Sequence, residues 1–278
     1  MPNINNTIVH YYDYGVDQLA YFDAGAGPVN LLLIHGFGED HTIWEKQIEF
    51  LSPHFRIIAP NLPGVHCKTL PLHHTQEPSI RNYVEVLHEL MHHLHIEKYY
   101  IMGHSMGGYI GLAFADYYVN HVMGLGLIHS TTYADSDAKK ASRLKVAEFI
   151  EEFGTLKYLE TATVNLFGSA FKNNHPSQIQ HMIDNASEIS ESTMMQFVFA
   201  MRNRNPMTHL LTQERIPVWM IAGKEDIAVP LEDSMEQLAL LPKEHAILLD
   251  GVGHMGMLEA TEQVNKSIYT FIQNAITK

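Results

Sequence analysis

Tyr99-Tyr100-Ile101-Met102-Gly103-His104-Ser105-Met106-Gly107-Gly108 opens on an apolar run and closes on glycines that lead into a helical pattern. The run 99–102 has strand length, and 106–118 carries helical periodicity. Between them stands Gly-x-Ser-x-Gly. A strand, a sharp turn and a helix in succession lift the serine hydroxyl to the tip of the turn, and only small neighbours fit beside so tight a backbone. Gly103, Gly107 and Gly108 meet that demand, so Ser105 is the candidate nucleophile.

Outward from this turn, apolar runs at 30–35, 56–59, 124–129, 218–222 and 246–249 alternate with helical patterns at 43–51, 79–95, 235–240 and 259–275. The alternation predicts an α/β fold with a mostly parallel central sheet and helices on both faces. Weaker strands at 7–10 and 19–23 are expected to form an antiparallel edge. The alternation stops at 133–212, where helical patterns at 138–153, 156–167, 177–188 and 192–202 occur without a strand. A helical cap at 133–212 is therefore expected, inserted into a core domain made of 1–132 and 213–278.

With 278 residues and 46% hydrophobic content, the chain can bury a full core. Its net charge of −13 offers no basic footprint for nucleic acid and no attraction to anionic lipid. A neutral or weakly polar small molecule is a better expected substrate than a polyanion. The one cysteine, Cys67, has no internal disulfide partner and reads as an ordinary loop residue. Residues 1–15 lack the basic and apolar segments of a signal peptide, and no apolar run is long enough to span a bilayer, so a cytoplasmic protein is expected.

A serine hydroxyl needs a positioned base, normally a histidine held by a third group. Among 19 histidines, His254 lies in Asp250-Gly251-Val252-Gly253-His254, after the last strand-like run and before the last helical one. That position completes a nucleophile, acid, histidine order. Asp226, in Ala222-Gly223-Lys224-Glu225-Asp226, follows the predicted strand 218–222 and is the candidate acid, with Glu225, Asp250 and Asp135 as competitors. Two backbone N–H groups suit a developing oxyanion: that of Phe37, in the turn after strand 30–35, and that of Met106, at a helix N-terminus.

Taken together, His35-Gly36-Phe37-Gly38, Gly103-His104-Ser105-Met106-Gly107-Gly108, Gly223-Lys224-Glu225-Asp226 and Gly251-Val252-Gly253-His254 resemble the α/β-hydrolase family over nearly the whole chain apart from the cap. Ala200-Met201-Arg202-Asn203-Arg204, followed by Ile216-Pro217-Val218, is similar to the linker before the acid strand in enol-lactone hydrolases, cofactor-free haloperoxidase-like esterases and related carboxylesterases. The resemblance implies a Ser105, Asp226, His254 triad with an oxyanion hole at Phe37 and Met106. It further implies hydrolysis of a carboxylic ester or lactone of a small, largely apolar substrate through an acyl-enzyme, with no organic cofactor or metal. Cleavage of a carbon–carbon bond in a vinylogous diketone is the alternative reaction, and a slow-turnover ligand receptor the alternative class. Haloalkane dehalogenation is disfavoured, because that chemistry in this fold uses a carboxylate where Ser105 stands.

Two departures concern the loop after strand 56–59. Relatives carry Asp-x-x-Gly-x-Gly-x-Ser there, whereas this chain has Asn61 in place of the aspartate and His66 in place of the second glycine, a change expected to alter local geometry. A rival motif, His88-Glu89-Leu90-Met91-His92, matches the H-E-x-x-H zinc pattern on a predicted helix. Its flanking Leu87, Leu90, Met91 and Leu94 read as a packing stripe, and no third ligand is evident. In the cap, Met182, Met194, Met195, Phe197, Phe199 and Met201 are candidates either for a substrate pocket or for packing onto the core.

Overall fold

A computed structural model describes residues 9–14, 17–66 and 77–277. Its sheet has eight strands in the order β1-β2-β4-β3-β5-β6-β7-β8. These are β1 (Val9–Tyr14), β2 (Asp17–Ala24), β3 (Asn30–Ile34), β4 (Arg56–Pro60), β5 (Tyr99–His104), β6 (Val122–Ile128), β7 (Val218–Gly223) and β8 (Ala246–Leu249). From β4 to β8 neighbouring strands run parallel. β1 and β2 form an antiparallel hairpin whose second strand lies antiparallel on β4. The antiparallel edge is thus present, with its first strand running to Tyr14; residues 7 and 8 of the expected strand lie outside the described residues, as does Cys67.

The central strands read as unbroken apolar runs because both of their faces are covered. Every residue of β5 and of β7 is buried. Residues 124 and 125 of β6 point to opposite faces. At Gly124 a Cβ would touch Phe271 of α11 (Thr261–Ile276), whereas Leu125 lies against Gly111 of α3 (Met106–Tyr117). Helices therefore cover the two faces, with α2 (Ile80–His93) packed beside α3 and α1 (Glu45–Leu51) beside α11.

Between β6 and β7 the chain forms five helices and no strand: α4 (Asp137–Phe153), α5 (Thr155–Asn165), α6 (Ser169–Asn174), α7 (Pro176–Ser187) and α8 (Glu191–Arg202). Ser136 and Ser190 cap α4 and α8 by accepting a backbone N–H at Lys139 and Thr193, and Pro176 begins α7, where its missing N–H costs nothing. The pairs α4–α8 and α5–α7 pack face to face. The short α6 has no counterpart in the expected elements. α9 (Leu231–Leu238) follows β7, and the brief α10 (Gly256–Glu259) precedes α11.

This topology gathers the candidate residues. β3 has β4 on one side and β5 on the other, so the chain reverses its direction of progress there, and a crevice opens outside the carboxyl ends of β3 and β5. The loops after β3, β5, β7 and β8 carry Phe37, Ser105, Asp226 and His254, all at that end.

Candidate active site

Ser105 stands between β5 and α3 with φ 50°, ψ −114°, a left-handed conformation costly for a residue with a side chain. The turn is held by the Ser105 N–H donating to Ile128 O (3.0 Å) and by the Ser130 hydroxyl donating to Ser105 O (2.8 Å). A Cβ on Gly103 would collide with the Gly107 backbone, and one on Gly107 with the Ile34 carbonyl, so these glycines let three backbone segments meet.

His254 Nδ1 donates to Asp226 Oδ2 at 2.8 Å, both side chains being buried. The other Asp226 oxygen accepts the Ala228 and Val229 N–H groups at 2.8 and 3.0 Å. Burial alone would raise this carboxyl, but His254 and His129 beside it win, and its pKa lies well below the usual carboxylate range. The competing acids are engaged elsewhere. Glu225 accepts the N–H and hydroxyl of Ser169, Asp250 pairs with Lys224, and Asp135 pairs with Arg143 and Arg204. The His254 loop is tied down by Glu259, which accepts the N–H groups of Gly253, Met255 and Gly168.

After β3, the Leu62 N–H donates to His35 Nε2 (2.8 Å), leaving His35 Nδ1–H to donate to Gly36 O (2.9 Å). Burial lowers the His35 pKa to about 4, consistent with a neutral ring in this role. Glu39 accepts the Gly36 N–H at 2.7 Å. Among the described residues, neither the Phe37 nor the Met106 N–H has a partner within the protein.

Three residues here were not legible from sequence roles. His104 donates through Nδ1 to Glu39 (2.9 Å) and through Nε2 to the His254 carbonyl (2.9 Å), so both ring nitrogens act as donors. Burial opposes the charge on this ring, yet Glu39 and the His254 carbonyl raise its pKa. Burial likewise opposes ionisation of Glu39, and His104 and the Gly36 N–H lower its pKa. A buried ion pair thus joins the turn after β3, the Ser105 turn and the His254 loop. The third is His129, after β6, whose Nδ1 lies 3.4 Å from Asp226 Oδ2. Burial pushes the His129 pKa down to about 4, so it faces Asp226 as a neutral ring.

The departures in the loop after β4 have local explanations. Asn61 Oδ1 accepts from the backbone N–H (2.9 Å) and Nδ1 (2.7 Å) of His41. His66 adopts φ 53°, where a glycine would be unstrained, and its Nε2 sits 3.0 Å from Asp40. The H-E-x-x-H residues lie on α2 away from the site: His88 stacks on Tyr118 (ring centroids 3.8 Å apart) and His92 is exposed. Among the described residues, the His, Cys, Asp and Glu side chains that come within mutual metal-ligand reach are His129, Asp226 and His254. Of these, His254 is hydrogen-bonded to Asp226, whereas His129 Nδ1 approaches the same carboxylate oxygen without a hydrogen bond.

Ser105 and His254 open onto a cavity of about 150 Å³. Phe37, Tyr109, Tyr158, Met182 and Met201 supply apolar walls, and Lys139 and Arg143 supply charge. The expected cap residues divide: Met182 and Met201 reach the cavity, whereas Met194 and Phe197 are fully buried in the core, Phe197 against Phe37 and Tyr83.

Residues 29–134 match the model of the alpha/beta hydrolase fold. A thermophilic esterase from Thermogutta terrifontis, solved with malate bound, superposes with a TM-score of 0.85 at 28% identity, covering 93% of this chain and 94% of that one. The enol-lactonase from Burkholderia xenovorans LB400 superposes with a TM-score of 0.83 at 18% identity, covering 95% and 100%. In sequence, 2-hydroxy-6-oxo-6-(2'-aminophenyl)hexa-2,4-dienoic acid hydrolase from Metapseudomonas resinovorans is 25% identical over 95% of this chain and 91% of its own length. The chain has the α/β-hydrolase fold. At the coarse level these likenesses support, it is a hydrolase. Among the described residues no helix is long and apolar enough to cross a membrane.

Proposed function

We propose that the protein is a serine hydrolase that cleaves a carboxylic ester or lactone through an acyl-enzyme. The observation that carries this reading is the buried His254–Asp226 pair opening, with the strained Ser105, onto one cavity. His254 Nδ1–H is fixed on Asp226, which leaves Nε2 to take the proton of Ser105 as its oxygen attacks the carbonyl. The tetrahedral oxyanion is received by the unpartnered N–H groups of Phe37 and Met106, the latter at the N-terminus of α3, where the helix dipole adds to the donor. The imidazolium, stabilised by Asp226, then protonates the leaving alcohol. Water deprotonated by the same nitrogen attacks the acyl group and regenerates Ser105.

A cavity of about 150 Å³ resembles the space that holds a benzene-sized molecule, which supports a small acyl or alcohol portion. The helices between β6 and β7 act as the cap of the core domain in this reading. Carbon–carbon bond hydrolysis by the same residues is the second reading, favoured by the relative from Metapseudomonas resinovorans.

Labelling with an organophosphonate, followed by peptide mass spectrometry, tests the proposal. The adduct is expected on Ser105, and Ser105→Ala should lose both the label and hydrolysis of short-chain esters. Undiminished ester hydrolysis by Ser105→Ala would overturn it.

A further inference from the structure

The chain is strongly acidic, yet the charges that face the cavity from the helical span are cationic. Lys139 and Arg143 lie four residues apart on α4, on one side of the helix, and both line the cavity shared with Ser105 and His254. Like charges at this spacing repel and destabilise a helix unless something negative lies between them. Burial and Arg143 together depress the Lys139 ammonium, in that order of effect, so holding both charges side by side carries an electrostatic cost.

The neighbouring acid does not neutralise the group. Asp135 gives one oxygen to Arg143 Nε (3.0 Å) and the other to Arg204 Nη1 (2.7 Å), so one carboxylate serves two guanidinium groups while Lys139 adds a third cation. The two arginines are used differently. Arg204 donates to the Tyr133 and Met201 carbonyls and lies over the Tyr109 ring, 4.1 Å from its centroid, so its planar group is spent on structure. Arg143 is fixed through Nε alone. Among the described residues its terminal Nη groups have no hydrogen-bond partner, although the side chain is largely buried. Lys139 Nζ reaches the Ala228 carbonyl at only 3.5 Å, leaving donors free on the same side. Glu39, the acid in the cavity wall, is already paired with His104 and the Gly36 N–H.

A guanidinium whose Nε is anchored and whose Nη donors are unspent is prepared for a planar anion, and an adjacent ammonium supplies a second charge-assisted contact. We propose that Lys139 and Arg143 form a carboxylate subsite, so that the substrate is an ester or lactone bearing a carboxylate away from the scissile bond. This inference rests on the serine-hydrolase reading and narrows its substrate class from apolar esters to monoanionic ones.

The test compares monoethyl succinate with ethyl 4-methylpentanoate, which replaces the free carboxylate by an isopropyl group of similar shape. The wild type should favour the succinate ester through a lower KM. Lys139→Met and Arg143→Gln should each reduce the ratio of kcat/KM for the two esters by about 10- to 100-fold, the worth of a charge-assisted contact. Lys139→Arg, which keeps the charge, should restore most of the ratio; a purely structural role would lower both esters together and leave the ratio alone. A ratio within about twofold of wild type in both charge-removing variants, where a real contact is worth at least about tenfold, would overturn the subsite. Titration calorimetry with succinate separates the two levels of inference. Binding that Lys139→Met and Arg143→Gln abolish upholds the subsite even if neither ester is hydrolysed, an outcome that would count against the hydrolase reading alone. Absence of binding together with equal turnover of both esters would refute the subsite and leave that reading intact.

Discussion

Replacing Glu39 probes the buried ion pair that ties three loops together. In Glu39→Leu the ring of His104 loses its counter-charge and the Gly36 N–H its acceptor, both away from water. Breaking a buried pair by removing one partner costs about 3–5 kcal/mol. For a chain of this size, that corresponds to a fall in Tm of roughly 5–9 °C. Glu39→Gln is the milder change. Its carbonyl can still accept the Gly36 N–H, and its amide can donate to His104 Nδ1 once the ring is neutral. The difference between wild type and Glu39→Gln should then depend on pH. Glu39 is lowered from its ordinary 4.5, so its contribution is present above that value and is lost as pH falls through the depressed one. His104 is raised from its ordinary 6.5, so its contribution is complete below that value and is lost as pH rises through the elevated one. The stability gap should therefore be widest between pH 4.5 and 6.5 and narrow on the alkaline side. Urea unfolding at a series of pH values measures it. A gap constant from acid to alkaline pH, or a Glu39→Leu protein as stable as wild type, would refute the charged-pair account.

Three further outcomes are expected. Asp226→Asn should lower kcat by about 10⁴, as in the protease precedent, while Glu225→Gln leaves it nearly unchanged; steady-state kinetics on a short ester decide this, and the reverse pattern would reassign the acid. Met182→Ala and Met201→Ala should shift preference among ester chain lengths by about 1–3 kcal/mol per methylene, read as kcat/KM ratios. Phe197→Ala should instead cost about 3–5 kcal/mol of stability, read by urea unfolding, because its ring is fully buried between Phe37 and Tyr83.

Much of the fold is legible because a parallel strand covered on both faces must be apolar throughout, as β5 and β7 are. The edge hairpin is harder to read, since the exposed Val9–Asp13 side of β1 needs no such pattern. The helix α6, at six residues, is too short to display a period. Ser105 and His254 announce themselves through glycine-rich surroundings demanded by tight turns. Asp226 stands out from Glu225 only in three dimensions, where Glu225 turns outward to cap α6 and Asp226 turns in to His254. Glu39, His104 and His129 escape notice because their partners lie 65 to 150 residues away in the chain. In the H-E-x-x-H match, His88 and His92 lie one turn apart on the same side of α2, His88 half-buried against Tyr118 and His92 exposed, so the spacing is met without a site. Net charge averages over a surface, whereas the proposed carboxylate subsite depends on the few groups that line one cavity.

The ring of Phe37 lies edge-on to Tyr158 of α5 and to Phe197 of α8, with centroids 6.0 and 6.3 Å away. One residue thus faces two ways: its side chain is gripped by the helical insertion and its backbone N–H is the proposed oxyanion donor. For protein engineering this makes the insertion an unsuitable cassette. A graft of helices from another hydrolase, chosen to alter specificity, would re-seat Phe37 unless it brought aromatic rings to the positions of Tyr158 and Phe197, and a specificity swap would become a change in catalytic rate.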